Sequence, residues 1–329
     1  MKPKVFVSRI IPEEGLRLLC DAADVEVWQD ELPPSYAMFL EKTKNADGLL
    51  ALLTDKIDAN LMDAHPRLKV VANLAVGYDN IDIPAATARG LPIGNTPGVL
   101  TDTTADFSFA LLMSAARRIP EGVDYVRAGK WKTWGPMLLT GPDIYGATLG
   151  IIGFGRIGQG MAKRASGFDM KILYHDVYRR EDLEKSIGVK YADMDTVLRE
   201  SDFVSVHVDL NASARHLINA AAFAKMKKSA ILINAARGPI VDPVALADAL
   251  KSGAIAGAAL DVTEPEPING DSPLLKLPNC IIVPHIASAS IATRAKMATI
   301  AASNVIAGVR GEKLPACVNP EVYEKGIRK

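Results

Sequence analysis

Residues 147–158 read Ala-Thr-Leu-Gly-Ile-Ile-Gly-Phe-Gly-Arg-Ile-Gly, an apolar run of strand length that empties into Gly153, Gly155 and Gly158. No other stretch constrains the fold as strongly. In a strand–turn–helix unit with this spacing, the first glycine permits a tight turn and the second lets backbone approach a pyrophosphate. The third lets the helix pack close to the strand. The helix opening at Arg156, Ile157 and Gly158 would offer its free N–H groups and the positive end of its dipole to the phosphates. Asp176 closes the next apolar run, 171–175, and lies 18 residues past Gly158. A carboxylate there can accept ribose hydroxyls and repels an added 2′-phosphate, so the pattern predicts a dinucleotide site that prefers NAD(H). Arg179 and Arg180 follow closely and keep NADP(H) compatible with the same site.

Short β-rich runs alternate with helix-length amphipathic segments along nearly the whole chain, which predicts an α/β fold of doubly wound parallel sheets. The reading places strands near 4–8, 24–27, 48–52, 69–73 and 91–94. A second series lies near 147–153, 171–175, 202–207, 229–233, 256–260 and 280–283. Between the two series runs a long helix, 103–116, which Thr101 or Asp102 can cap. The alanine-rich stretch 288–309 has helical spacing and is expected to pack back on the first domain. Two domains are therefore expected, with a cleft between them: residues 1–99 plus 290–329 for the substrate, and 100–289 for the dinucleotide.

Lys plus Arg and Asp plus Glu number 38 each, so no global field would recruit nucleic acid or an anionic membrane. Small anions must then be caught by local charge. No run of about 18 apolar residues is present to span a bilayer. The N-terminal segment lacks the apolar core of a signal peptide. Cys20, Cys280 and Cys317 have no CxxC spacing and are odd in number, which argues against a disulfide framework or a metal site and for a reducing cytoplasm.

Three polar residues follow strands of the second series. Arg237 comes after Ala-Ile-Leu-Ile-Asn-Ala-Ala and before Gly238, Glu266 lies in Asp-Val-Thr-Glu-Pro-Glu-Pro, and His285 ends Ile-Ile-Val-Pro-His. A guanidinium fork can grip a carboxylate through two parallel N–H bonds. Imidazole can supply a proton near neutral pH, and a carboxylate can orient it. Each alone is an ordinary surface residue. Together, at the carboxyl ends of successive strands, they make a clamp, an orienting carboxylate and an acid/base.

With these pieces in view, the chain resembles the D-isomer-specific 2-hydroxyacid dehydrogenase family. The likeness rests on LGIIGFGRIGQ (149–159), ILINAARGPIVD (231–242), GAALDVTEPEP (257–267) and VPHIASA (283–289). VANLAVGYDNID (71–82) and NTPGVLTDTTADFSFALL (95–112) extend it over nearly the whole chain. Within the family the chain resembles glyoxylate and hydroxypyruvate reductases. The resemblance implies two Rossmann-like or flavodoxin-like domains and NAD(P)H-dependent reduction of a small 2-oxo acid. It also implies a homodimer that pairs through the helix 103–116 and the loop holding Trp131, Trp134 and Pro136. By position it implies that Arg237 binds carboxylate and carbonyl oxygen, that His285 is the acid/base and that Glu266 holds its ring. Val76 and Gly77 would hold the substrate carboxylate through backbone N–H groups, and Leu53 would face the C3 side. Asp261 would meet the nicotinamide carboxamide, with Thr104 and the backbone from Ala235 to Arg237 lining that pocket.

Two positions depart from the family pattern: Ala287 stands where glycine is usual, and Asp209 where proline is common. The alternatives are a short phosphoglycerate dehydrogenase and a non-catalytic NADH-sensing scaffold like the corepressors that resemble this family. Formate-oxidising relatives carry glutamine at the place of Glu266, and phosphite-oxidising ones lysine at the place of Val76, so neither fits.

Overall fold

Among residues 2–328, which the computed structural model describes, twelve short strands pair in parallel and divide into two sheets. The chain forms two compact units, one of residues up to Leu100 together with those from Ala289 onward, the other Thr101–Ser288.

In the first unit the strands are β1 (Lys4–Val7), β2 (Asp24–Val27), β3 (Gly48–Ala51), β4 (Val70–Asn73) and β5 (Ile93–Gly94), in the order β2-β1-β3-β4-β5. This is a flavodoxin-like doubly wound order. β3 and β4 are buried along their whole length, as their unbroken apolar sequences require of strands covered on both faces. Alternation sends Val5 and Val7 to one core and Phe6 to the other. The edge strand β2 instead reads Asp-Val-Glu-Val and leaves its acidic residues outward. The helix Ile291–Val309 packs its Met297, Ala298, Ala301 and Val305 into the Val5 core of this same unit.

The second unit adds β6 (Thr148–Ile152), β7 (Lys171–His175), β8 (Val189–Tyr191), β9 (Phe203–Val206), β10 (Ile231–Asn234), β11 (Gly257–Leu260) and β12 (Cys280–Ile282). Their order is β12-β11-β10-β9-β6-β7-β8. The order reverses direction between β6 and β9, and ligands of doubly wound sheets bind outside the strand ends at such a switch point. One core face is built from Leu149, Ile151, Tyr174, Phe203 and Ile233 under Phe109 and Leu112. The other is built from Val204, Val206, Leu232 and Leu260 under Leu246 and Leu250.

Two sequence expectations need correction. The second sheet has seven strands and not the six that the sequence predicts, because β8 is a three-residue edge strand, Val-Lys-Tyr, too short to show alternation. The long helix is Thr101–Ala116, so Thr101 and Asp102 lie inside its first turn and do not cap it.

Candidate functional site

At the switch point the chain leaves β6 through Gly153, whose φ of +92° puts it in the region that disfavours a side chain. A Cβ there would also come within 2.6 Å of the His207 backbone that follows β9. Gly158 packs against the Gly153 carbonyl, which closes the helix Arg156–Ser166 onto the strand. Gly155 is different: a Cβ on it would meet nothing within 4 Å. Its glycine is not required by packing within the chain. The helix beginning at Arg156 and Ile157 also has no side-chain cap, so its first N–H groups lack the usual partner. Open space above Gly155 and an uncapped N-terminus are what a bound pyrophosphate would fill, so these residues fit a dinucleotide.

Asp176 stands immediately after β7 and turns its carboxylate into this turn. Oδ2 accepts the Phe154 N–H at 2.5 Å and Oδ1 the Tyr178 N–H at 3.0 Å. The acid is therefore fixed beside the glycine loop. Both arginines that could meet a 2′-phosphate are engaged elsewhere. Arg179 forks onto Glu184 at 2.8 and 2.9 Å, and Arg180 onto Asp182 at 3.0 and 2.8 Å. Asp209 is exposed past β9. His207 beside it shares a 2.8 Å hydrogen bond with Ser205, and burial pushes its imidazole down to about 4.

The strands β10, β11 and β12 run side by side with Asn234 level with Leu260 and Leu260 level with Ile282, so their carboxyl ends present one edge. Arg237 lies three residues beyond Asn234. The buried Asn234 amide donates to the Arg237 carbonyl at 3.0 Å and accepts the Ala236 N–H at 3.0 Å, bracing the turn from Ala235. Gly238 then passes so close to Thr263 that a Cβ would overlap its carbonyl. The Arg237 turn and the loop bearing Glu266 are thereby locked face to face.

Glu266 Oε1 meets His285 Nδ1 at 2.6 Å, which leaves Nε2 as the ring nitrogen available for proton transfer. His285 has a φ of +53°, a conformation that a non-glycine residue keeps only where its surroundings hold it. Asp261 does much of the holding. Its carbonyl accepts the His285 N–H at 2.9 Å, and its carboxylate oxygens accept Ile286 N–H at 2.7 Å and Ala287 N–H at 2.8 Å. Burial raises the Asp261 carboxyl above its usual range, against these hydrogen bonds. This anchoring of the histidine loop is a task that the sequence did not reveal. Ala287 is buried and outside the left-handed region, so its methyl group is accommodated without a glycine. Thr104 is buried in the helix Thr101–Ala116 of the same unit.

In the first unit, Val76 and Gly77 lie on the loop after β4, half-buried, with Tyr78 exposed beyond them. Three asparagines shape that loop. Asn73 donates to the Gly77 carbonyl at 2.9 Å and Asn95 to the Val76 carbonyl at 2.8 Å, while Asn80 binds the carbonyls of Leu52 at 3.0 Å and Asp55 at 2.9 Å. With their carbonyls so held, Val76 and Gly77 keep a fixed backbone course. Leu53 follows β3 at the same sheet edge, half-buried.

Residues 109–287 match the family model for the D-isomer specific 2-hydroxyacid dehydrogenase, NAD binding domain. A glyoxylate reductase of Korarchaeum cryptofilum is 55% identical over 325 residues, covering 98% of each chain. One from Pyrococcus horikoshii is 50% identical over 333 residues, covering 100% of this chain and 99% of its own. Among solved structures, a protein of Thermus thermophilus superposes with a TM-score of 0.91 at 42% identity, covering 96% of this chain and 99% of its own. An NADPH-dependent glyoxylate/hydroxypyruvate reductase from Sinorhizobium meliloti, in complex with NADP and malonate, superposes with a TM-score of 0.86 at 33% identity, covering 100% and 99%.

Proposed function

The chain belongs to the D-isomer specific 2-hydroxyacid dehydrogenase family, and we propose that it reduces glyoxylate or hydroxypyruvate to the 2-hydroxy acid, glycolate or D-glycerate. The observation that carries this reading is the His285–Glu266 pair at 2.6 Å, set beside the Arg237 turn at the ends of adjacent strands. It joins a proton donor to a carboxylate clamp, the two things that reduction of a 2-oxo acid asks of the protein.

The second unit acts as the dinucleotide domain and the first as the substrate domain. Gly153, Gly155 and Gly158 with the N–H groups at Arg156 and Ile157 would hold the pyrophosphate, and Asp176 the adenosine ribose. Thr104, Ala235 and Asp261 would border the nicotinamide, which supplies the hydride when bound. Arg237 grips the substrate carboxylate and polarises the carbonyl, and its charge stabilises the oxygen as negative charge develops there. His285 donates the proton from Nε2 to that oxygen, and Glu266 keeps the ring turned and balances its charge. By the family likeness, backbone N–H groups of Val76 and Gly77 would offer donors to a substrate carboxylate, and Leu53 would face C3. NADH is the reductant this reading favours, with NADPH also compatible: Asp176 is fixed beside the glycine turn, where it would meet the ribose hydroxyls, and Arg179 and Arg180 are tied to Glu184 and Asp182. The chain works in the cytoplasm, in keeping with its three free cysteines, and as a homodimer.

The test is oxidation of NADH and NADPH, measured side by side with glyoxylate, hydroxypyruvate, pyruvate and a bulky phenyl-substituted ketoacid. Fast turnover of the first two with NADH is expected. Binding of NADH without turnover of any ketoacid would replace this reading with that of a sensing scaffold.

A further inference from the structure

A second histidine–carboxylate pair stands outside the reacting groups. His216 Nε2 meets Glu264 Oε2 at 2.7 Å, and Arg215 Nη2 meets Glu264 Oε1 at 2.6 Å, so both oxygens of one carboxylate are held from a single dipeptide. Glu264 lies two residues before Glu266, on the loop that follows β11. The dipeptide lies in the segment between β9 and β10, so nothing in chain order brings these groups together.

The same segment also grips the Arg237 turn. The His216 N–H donates to the Pro239 carbonyl at 2.8 Å and the Ile218 N–H to the Ile240 carbonyl at 3.1 Å. His216 is held at a φ of +51°, which an L-residue adopts only when its neighbours over-determine it. The charged groups facing its ring are Glu264 and, at 4.0 Å from Nδ1, Asp242, with Arg215 sharing the Glu264 carboxylate. Burial works against the charge on Glu264, yet the hydrogen bonds from His216 and Arg215 outweigh it and hold its carboxyl below the usual range.

We infer that Glu264 and His216, assisted by Arg215, are positioning residues that fix the Glu266 loop and the Arg237 turn in one arrangement, a role that rests on the reductase reading above. An exposed ion pair contributes little to stability. This one instead removes a freedom of movement: Gly238 already lies against Thr263, and the Glu264 clamp prevents the loop from sliding along that contact. Thr263 completes the brace, with its N–H 3.4 Å from Glu266 Oε2 and its hydroxyl donating to the Pro265 carbonyl at 2.7 Å. Misplacement of reacting groups by about 1 Å can cost on the order of 100-fold in rate. No contact between Glu264 and substrate is needed for such a loss.

The experiment compares Glu264→Ala, His216→Ala and His216→Gln with the unaltered chain. It measures kcat and KM for glyoxylate, NADH affinity by fluorescence, and hydrogen exchange of peptides covering 237–241 and 261–267. Glu264→Ala and His216→Ala are expected to lower kcat by roughly 10- to 100-fold with NADH affinity within about twofold, and to speed exchange in both peptides. His216→Gln, which keeps a donor toward Glu264, should restore kcat to within about fivefold. Unchanged kcat and unchanged exchange in Glu264→Ala would overturn the inference, as would a loss confined to melting temperature with full kcat per folded molecule. An unaltered chain that turns over no ketoacid would instead count against the reductase reading, and the exchange measurement would still decide whether the clamp holds both segments.

Discussion

His285 Nδ1 and Glu266 Oε1 lie 2.6 Å apart although 19 residues separate them, because β11 and β12 are register-matched neighbours whose ends deliver both side chains to one edge. A proton donor so oriented contributes about 10²- to 10⁴-fold to turnover. His285→Gln should therefore lower kcat for glyoxylate by at least about 100-fold while leaving NADH affinity within about twofold. Glu266→Gln keeps a hydrogen-bond acceptor but removes the charge, and its loss of kcat should be smaller. Steady-state kinetics with parallel fluorescence titration separates the two effects. Near-normal turnover in His285→Gln would remove the histidine from the chemistry.

Two glycines of one loop should respond in opposite ways. Gly153 has a φ of +92° and faces the His207 backbone, so Gly153→Ala should cost stability and lower the melting temperature by several degrees. At Gly155 a Cβ would face open space, so Gly155→Val should lower the melting temperature by no more than the loss of a favourable N-cap residue, less than Gly153→Ala does. The isopropyl group would nevertheless occupy the place of the phosphates, so NADH affinity should fall by at least about tenfold. Thermal melts and fluorescence titration of both variants test the contrast. A Gly155→Val protein that binds NADH normally would place the pyrophosphate elsewhere.

These contrasts show where the sequence is legible. The Gly153–Gly158 spacing and the carboxylate at Asp176 reflect local requirements of one turn, and Arg237, Glu266 and His285 stand out because each follows an apolar run of strand length. Other features arise only from the packing of distant segments. Asp261 reads as one more acid in an acidic loop until its carboxylate is seen on Ile286 and Ala287, 25 and 26 residues away. His216 and Glu264 are 48 residues apart, and no spacing connects them. β8 escapes for a different reason, since three residues at a sheet edge carry too little periodicity to separate a strand from a loop.

His207 gives the second unit a pH-dependent stability. Its ring ionises in the folded chain only near pH 4, against about 6.5 when unfolded. Between those values the unfolded chain binds the additional proton, so stability is complete above about pH 6.5 and declines as pH falls toward 4. Allowing for the partial exposure of the ring, the loss should be on the order of 2 kcal/mol. Urea unfolding at pH 7.5 and 5.0 should show it, and His207→Gln should reduce the difference between the two. His65, buried and likewise shifted downward by burial, acts in the same direction. An identical pH dependence in His207→Gln would mean that the ring does not carry it.

Apolar surface on the second unit is concentrated in one stretch of chain. The helix Ile119–Arg127 has no buried residue and exposes Ile119, Val123 and Val126, and the following segment leaves Trp134 77% and Met137 79% exposed. Contiguous apolar surface of this kind marks an interaction site more often than a bare face, and aromatic residues with methionine are enriched at interfaces. A second copy of the chain is the proposed occupant. The unaltered protein should elute as a dimer, and Trp134→Glu combined with Met137→Glu should yield a monomer by light scattering coupled to size exclusion. Both side chains are exposed within the single chain, so these charges cost the isolated unit little. A monomer that keeps its circular dichroism spectrum therefore identifies the interface, whereas a double variant that stays dimeric places the contact elsewhere.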